Sequence, residues 1–251
     1  MHTMTAYLPA TVERTGSTRL FCFHHAGGAA SAFNDWQRAL GPDVTVLPVQ
    51  LPGRERRAAE PRFTDMAALV ADLDEHLDPL LDEPFAFYGH SMGAIVAYHL
   101  TRLRALAGRS LPVRLMVGAY APPHRPATAG AALEMTDERL ARFLVDIGGM
   151  SELLLRYPDW VRSALALARD DLRVCVSAPP PGDFRLPCPI EVFAGDRDPL
   201  LPLADVSGWA EHSGVSCRVH PVPGGHFFTQ ESSAEFLAKV ASFFTVRSIR
   251  R

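Results

Sequence analysis

The stretch that says most about the fold is residues 85–107, FAFYGHSMGAIVAYHLTRLRALA. It opens on a short apolar run, Phe85–Tyr88, which is typical of a strand covered on both faces. A G-x-S-x-G motif follows at residues 89–93, and a helical pattern begins at Met92. Strand, tight glycine-flanked turn and helix are the context of a nucleophile elbow, which lifts a serine clear of a sheet. The pattern therefore predicts that Ser91 is a nucleophile at a helix N-terminus, where partial positive charge favours a developing anion.

Short apolar runs alternate with amphipathic patterns on both sides of this stretch. The other predicted strands are Leu20–His24, Val44–Val49, Val113–Ala119, Ile190–Ala194 and Cys217–Val222. Helical spacing predicts helices over residues 65–81, capped by Thr64, over 92–107 and over 232–244. This alternation predicts an α/β fold with a mainly parallel central sheet flanked by helices. Pro48 cannot donate a ladder hydrogen bond, so the strand that contains it is expected at an edge or to end there.

One long segment, residues 120–189, interrupts the alternation. A crossover between parallel strands needs far fewer residues. Helical patterns occur within it at about 137–147, 151–156 and 158–175. We expect a helical lid insertion over one end of the sheet, within a single domain that covers residues 1–251. Its apolar side chains are expected to pack on the body, with a few lining a chamber or gate; they are Leu140, Phe143, Leu144, Ile147, Met150, Leu153, Leu154 and Leu155.

The composition excludes several classes of protein. With 251 residues, 47% hydrophobic and 21% charged, the chain is long and apolar enough for a folded core. A net charge of −3 argues against nucleic acid as a partner. No apolar run reaches the ~18 residues of a membrane span, and residues 1–9 do not form a secretory signal. Four cysteines without a CxxC pair predict free thiols in the cytoplasm. The adjacent His24-His25 lacks metal-ligand spacing, so no metal is expected.

A nucleophilic serine needs a base, and the chain has ten histidines. His226 lies in a glycine-containing loop, residues 223–228, between a predicted strand and the last predicted helix. Hydrolases with this elbow have the chain order serine, acid, histidine, with the histidine last. The alternative, His220, falls within a strand pattern, which is more typical of a structural residue. We therefore predict that His226 is the base.

The histidine in turn needs a carboxylate that fixes its tautomer and stabilises its charged form. Asp198 lies in the loop after the predicted strand Ile190–Ala194, and the alternatives are Asp196, nearer to the strand end, and Asp205. Some hydrolases take this acid from the strand after the nucleophile helix. Here no acidic residue follows that strand before Glu134, so the pattern favours Asp198.

Two backbone N–H groups are expected to stabilise an oxyanion beside Ser91. The residue after the nucleophile, Met92, supplies one of them. The second should come from the loop after the first strand, residues 24–28 (HHAGG), and Ala26 lies just past the strand end. Glycines in this loop let amides turn inward without interference from a Cβ atom. No cofactor enters this chemistry.

Taken in order, these motifs resemble those of the type II thioesterases, the separate editing enzymes of polyketide and nonribosomal peptide assembly lines. Five segments carry the resemblance: HAGG at 25–28, QLPGRE at 50–55, GHSMGA at 89–94, GDRD at 195–198 and GGHFF at 224–228. One departure is His24, where the family usually has proline. The resemblance implies an α/β-hydrolase fold and a triad of Ser91, His226 and Asp198.

The resemblance also implies a substrate: an acyl thioester on the phosphopantetheine arm of an acyl or peptidyl carrier protein, removed when it is stalled or mis-loaded. A chain without an attached carrier domain favours editing over product release, and we expect a monomer. The alternatives are a product-releasing thioesterase, a small-molecule carboxylesterase or a non-catalytic binding protein of this fold. The basic residues Arg54, Arg56 and Arg57 are a candidate docking patch for acidic carriers, or else a solvated surface run.

Overall fold

The computed structural model describes residues 5–8, 18–125 and 128–245. The strands are Thr18–Phe23 (β1), Val44–Val49 (β2), Phe85–His90 (β3), Leu115–Gly118 (β4), Ile190–Gly195 (β5) and Cys217–Val222 (β6). The helices are Trp36–Leu40 (α1), Met66–Leu77 (α2), Met92–Leu106 (α3), Ala129–Leu133 (α4), Asp137–Asp146 (α5), Pro158–Val176 (α6), Phe228–Glu231 (α7) and Ser233–Ala241 (α8). No helix in these ranges combines the length and the apolar character needed to cross a bilayer.

The six strands form one sheet in the order β2-β1-β3-β4-β5-β6, and every neighbouring pair is parallel. The predicted parallel sheet is confirmed, and each predicted strand end lies within two residues of the observed one. The strand that contains Pro48 is at the edge, as predicted, where its missing N–H costs no ladder bond. Because all the strands run the same way, their carboxyl ends meet along one edge of the sheet.

Helices cover both faces of the sheet, which explains why the strands read as continuous apolar runs. Along β1, Phe21 and Phe23 pack into a core beneath α2 and α3. The alternating side chains Leu20 and Cys22 pack into a second core beneath α1 and α8. Successive residues of a strand point to opposite faces, so one short strand serves both cores.

Between β4 and β5 the chain forms the predicted helical lid. The structure places α5, a 3-10 helix over Glu152–Arg156, and α6 where the helical patterns predicted them. The short helix α4 was not predicted. Four buried side chains give the lid a small core of its own: Ala132, Leu140, Ala141 and Leu165. The lid lies over the carboxyl edge, since its residues line a cavity together with Ser91 and His226.

Some helix ends differ from the prediction for local reasons. Asp65 rather than Thr64 caps α2, because its side chain accepts a hydrogen bond from the Ala68 N–H at 2.8 Å. The helix ends at Leu77, and a 3-10 turn follows because Pro79 has no N–H to continue the α-helical ladder. The predicted last helix is divided at Ser232 into α7 and α8.

The cap at Asp65 can be tested against its neighbour. Asp65→Ala removes the acceptor of the Ala68 N–H, and we expect it to lower the free energy of unfolding by about 1 kcal/mol. Thr64→Ala, at the position that the sequence favoured, removes no capping bond and should lower it by less than about 0.5 kcal/mol. Urea denaturation of the two variants measures the difference. Equal losses would show that the Asp65 carboxylate does not stabilise α2.

Candidate active site

Ser91 lies at the turn between β3 and α3, in a backbone conformation that few side chains adopt. Its φ is +52° and its ψ is −117°, and its N–H donates to Gly118 O at 2.8 Å. The two flanking glycines leave no space for side chains. A Cβ on Gly89 would lie 2.0 Å from Gly93 O, and a Cβ on Gly93 would lie 2.0 Å from Phe23 O. The strained turn therefore depends on both glycines and presents Ser91 at the carboxyl edge of the sheet.

The structure brings Ser91, His226 and Asp198 into one hydrogen-bonded row. His226 Nε2 lies 3.1 Å from Ser91 Oγ, and His226 Nδ1 lies 2.9 Å from Asp198 Oδ2. Asp198 is 6% exposed, and its other oxygen accepts the Leu200 N–H at 2.8 Å. A carboxylate accepts only, so Nδ1 carries the proton and Nε2 is left with a lone pair towards the serine. This arrangement can remove a proton from Ser91.

The rival residues occupy other places. Asp196 lies at the surface, where its Oδ1 accepts the Gly224 N–H at 2.9 Å and so holds the base of the histidine loop. Asp205 pairs with Arg125 at 2.7 Å. His220 forms a 2.6 Å contact with Glu191. None of the three touches the row of Ser91, His226 and Asp198 in the part of the chain that the structure describes.

His90, the variable residue of the G-x-S-x-G motif, fixes the position of His226. The His90 Nε2–H donates to the His226 backbone carbonyl at 2.9 Å, and its Nδ1 accepts from the Tyr88 hydroxyl at 3.0 Å. Burial, and the nearby His226 and His25, hold the pKa of His90 well below its usual range. His90 is therefore a neutral, permanent donor. No role for His90 was predicted, although its place inside the motif was the signal available.

Ala26 and Met92 are the residues whose backbone amides are expected to stabilise the oxyanion. Both residues line the same cavity as the serine. Within residues 5–8, 18–125 and 128–245, neither the Ala26 N–H nor the Met92 N–H donates to a protein acceptor. Two backbone N–H groups that line the cavity of a nucleophile and have no protein acceptor suit an anionic oxygen.

The two adjacent histidines of the first loop have different environments. The His24 Nδ1–H donates to His25 O at 2.8 Å, so this side chain restrains the loop. His25 packs edge-on against Phe227, and burial together with the nearby His226 and Arg54 lowers its pKa to about 4. In the described part of the chain, no three His, Cys, Asp or Glu side chains come together to hold a metal ion.

The row opens into a cavity of about 80 Å³ between the sheet edge and the lid. Its walls are mainly apolar, and small side chains are frequent among the lid residues that form them: Ala129, Ala132, Phe143, Leu144, Ile147, Ala168, Leu172 and Cys175. Three of the apolar residues that were expected to line a chamber, Phe143, Leu144 and Ile147, do so. Leu140 is instead buried in the core of the lid, and Leu153 is exposed.

The predicted docking patch at residues 54–57 is wrong, because two of its three arginines are buried. Arg54 is 6% exposed and forms a bidentate pair with Asp171. Arg57 is 8% exposed, pairs with Glu60 and lies over the ring of Tyr7. Only Arg56 remains at the surface. The charges of Arg54 and Arg57 are paired with carboxylates within the protein, so these two residues do not contribute to an exposed basic surface.

Comparison with known proteins identifies the family. The thioesterase domain family matches residues 18–245. The gramicidin S biosynthesis protein GrsT of Aneurinibacillus migulanus is 33% identical over 231 residues, which are 92% of this chain and 90% of the relative. The thioesterase PikA5 of Streptomyces venezuelae is 32% identical over 92% of this chain and 82% of the relative.

A solved structure gives the same result. The type II thioesterase BorB from the borrelidin biosynthetic cluster is 33% identical and superposes with a TM-score of 0.83, covering 95% of this chain and 98% of that one. The fold, the sequence matches and the near-complete coverage agree. The chain therefore belongs to the thioesterase family, with the α/β-hydrolase fold, among the type II thioesterases of polyketide and nonribosomal peptide pathways.

Proposed function

We propose that this thioesterase hydrolyses short acyl thioesters on the phosphopantetheine arm of acyl or peptidyl carrier proteins, and so removes stalled or mis-loaded groups. One observation carries the proposal: the hydrogen-bonded row of Ser91, His226 and Asp198 opens directly into a small apolar chamber. A nucleophile at the mouth of such a chamber suits an apolar acyl group whose carbonyl lies at the edge and whose thiol arm extends outward.

The proposed reaction has two halves that use the same residues. His226 Nε2 takes the proton of Ser91 Oγ as the oxygen attacks the thioester carbonyl, and the amides of Ala26 and Met92 stabilise the oxyanion. The intermediate collapses to an acyl-enzyme, and the thiolate leaves with the proton from His226. Water then attacks the ester, again with His226 as base, and the acid and free Ser91 are released. Asp198 holds the reactive tautomer throughout.

The size of the chamber supports editing over release of a finished product. Its volume of about 80 Å³ is roughly half that of a 150 Å³ cavity that holds benzene. An acyl group of a few carbons fits such a space, whereas a full-length polyketide or peptide needs much more. The relatives matched over nearly their whole length include an enzyme described as a type II thioesterase, which supports the same conclusion.

The proposal places the enzyme in the cytoplasm as a monomer that meets its carrier transiently. All four cysteines are free thiols, which suits a reducing compartment. No cofactor or metal takes part, because the proposed steps need only a serine, a base, an orienting acid and two amides. Carrier recognition is not assigned to residues 54–57, since two of those arginines are buried.

A hydrolysis panel tests the proposed substrate class. Acetyl, propionyl, malonyl and hexanoyl groups are each offered on a carrier protein, on free pantetheine and as simple oxygen esters. We expect the highest kcat/KM for acetyl- or propionyl-carrier and a lower value for the same acyl groups on pantetheine. Faster turnover of oxygen esters than of carrier-bound thioesters would favour a carboxylesterase, and preference for long acyl groups would favour product release.

The chamber makes a separate prediction about acyl length. Ala132 is buried on α4 and lines the cavity, so Ala132→Leu fills space that the acyl chain would use. Each acyl methylene that can no longer be buried costs ~0.8 kcal/mol of binding free energy, which corresponds to about a fourfold loss in kcat/KM. We expect kcat/KM for hexanoyl-carrier to fall about tenfold or more and that for acetyl-carrier to change less than about threefold.

The matched control lies on the same helix. Ala131 is exposed and does not line the cavity, so Ala131→Leu should leave both rates unchanged. Thermal unfolding of both variants separates chamber filling from loss of folding. A uniform loss for both acyl lengths in Ala132→Leu would count against an acyl chamber under α4.

A further inference from the structure

A buried ion pair joins two distant parts of the chain directly beside the free amide of Ala26. Arg54 lies in the QLPGRE segment after β2, and Asp171 lies on the lid helix α6. Arg54 Nη1 lies 2.6 Å from Asp171 Oδ2, and Arg54 Nη2 lies 2.8 Å from Asp171 Oδ1. The two side chains are 5% and 2% exposed. The pair is therefore bidentate and shielded from water.

Both members of the pair also hold the loop that follows Ala26. The Gly27 N–H donates to Asp171 Oδ2 at 2.7 Å, and Arg54 Nη1 donates to Gly28 O at 3.2 Å. Gln50, from the same segment as Arg54, accepts the Ala30 N–H at 3.2 Å. Side chains thus restrain the loop at Gly27, Gly28 and Ala30, just after the free amide of Ala26. Gly27 has a φ of +76°, a left-handed conformation that glycine adopts without steric cost, and these bonds hold the loop around it.

The lid helix that carries Asp171 also forms one wall of the chamber. Ala168, one turn earlier, lines the cavity, and its Cβ would lie 3.6 Å from a Cβ added to Gly27. Leu172 and Cys175 line the cavity further along the helix. The loop with the free amide and the wall of the chamber are therefore joined through one carboxylate.

Stability alone does not explain a pair of this kind. Well-packed apolar side chains often replace a buried ion pair without loss of stability, while removal of one partner is costly. The backbone next to Arg54 is strained as well, because Glu55 has a φ of +46° without being glycine. Strain of this kind persists where the surrounding structure over-determines it, and it clusters at functional sites.

We propose that Arg54 and Asp171 are positioning residues for the oxyanion: together they hold Gly27 and Gly28 so that the Ala26 N–H points at the oxygen that forms on attack by Ser91. The inference rests on the proposed function, since it needs Ser91 to attack a carbonyl. Neither residue touches substrate. The pair acts through the loop, and through α6 it ties the direction of the amide to the position of the chamber wall.

The proposal predicts a loss in kcat with little change in KM. A donor that is misdirected weakens binding of the transition state and leaves binding of the ground state nearly intact. In Asp171→Asn one of the two oxygens becomes an NH₂ group that faces an N–H donor of Arg54 or of Gly27, and the negative charge that pairs with Arg54 is lost. We expect kcat on acetyl-carrier to fall about 10- to 100-fold and KM to change less than about threefold.

The affinity of a trifluoromethyl ketone inhibitor provides a second measurement, which should not change if the pair has a purely structural role. Ser91 Oγ adds to its carbonyl, the serine proton passes to His226, and the resulting hemiketal oxyanion occupies the place of the transition-state oxygen. We expect the affinity of the ketone to weaken in Asp171→Asn by about the same factor as kcat falls.

Three further variants complete the experiment. Arg54→Met/Asp171→Leu replaces the pair by apolar side chains, keeps the fold testable should Asp171→Asn be unstable, and should show the same loss of kcat and of ketone affinity. Arg54→Lys keeps the charge but loses the bidentate geometry, and should lie between wild type and the double variant. Asp170→Asn, beside Asp171, weakens the pairings of Asp170 with Arg62 and Arg173, which lie outside the loop that follows Ala26, and should leave kcat unchanged.

The outcomes separate this inference from the proposed function. If the wild type does not hydrolyse acetyl-carrier, or Ser91→Ala still does, the proposed function fails. If the wild type hydrolyses it while Asp171→Asn and the double variant keep the kcat of Asp170→Asn, the positioning role alone is refuted. It is refuted too if kcat falls while ketone affinity stays at the wild-type value.

Discussion

Ser91→Ala is expected to reduce kcat on acetyl-carrier by a factor on the order of 10⁴ or more, because serine, base and acid act as one unit. No other hydroxyl can replace it, since the elbow holds this side chain alone 3.1 Å from His226 Nε2 in the described structure. Alanine adopts the same backbone region as serine, so the melting temperature should change little. Steady-state release of free carrier thiol measures the loss.

The control for this change is Ser242→Ala, at an exposed serine just after α8. It should keep full activity. A serine-trapping phosphonate gives an independent readout, because wild type and Ser242→Ala should be labelled once and Ser91→Ala not at all. Near-wild-type turnover by Ser91→Ala would contradict the proposed mechanism, and absence of labelling in the wild type would favour a non-catalytic binding protein.

Asp198→Asn is expected to lower kcat about 10⁴-fold with the fold intact. Asp198 accepts from the Leu200 N–H on one oxygen and faces His226 Nδ1 with the other. Asparagine has a single acceptor oxygen, which the Leu200 N–H retains, so its NH₂ group would face the histidine. Nδ1 would then have to accept, the proton would move to Nε2, and His226 could no longer take a proton from Ser91.

Asp196 offers a matched comparison two residues away. The Asp196 side chain accepts a hydrogen bond from the Gly224 N–H. This bond needs only an oxygen, which asparagine also has. Asp196→Asn should therefore keep kcat within about threefold. If the two results were exchanged, with Asp196→Asn inactive and Asp198→Asn active, Asp196 would have to be the orienting acid.

Much of the fold could be predicted because the sequence patterns that specify its strands and turns lie within short stretches of the chain. Strands buried on both faces read as apolar runs, and glycines around Ser91 mark a turn whose packing allows no side chain at Gly89 or Gly93. Short elements had no comparable signal. Helix α1, Trp36–Leu40, spans little more than one turn, so no periodicity could develop, and its place depends on packing of Trp36 against Tyr88 and Phe236.

Long-range pairing explains what the sequence could not predict about the site. Arg54 and Asp171 are 117 residues apart, and no local pattern links them. From sequence alone three arginines within four residues indicated an exposed patch, and only the fold shows that Arg54 and Arg57 point inward. That Ser91, His226 and Asp198 lie together could be predicted, because the carboxyl ends of parallel strands meet at one edge of the sheet.

The most direct test of the account is the mass of the intact enzyme within one turnover of acetyl-carrier. Rapid quenching of the wild type should show a fraction that carries one acetyl group, with digestion placing the group on the peptide that contains Ser91, while Ser91→Ala shows none. Hydrolysis without any acyl-enzyme, or an acetyl group on another residue, would contradict nucleophilic catalysis by Ser91 at the elbow.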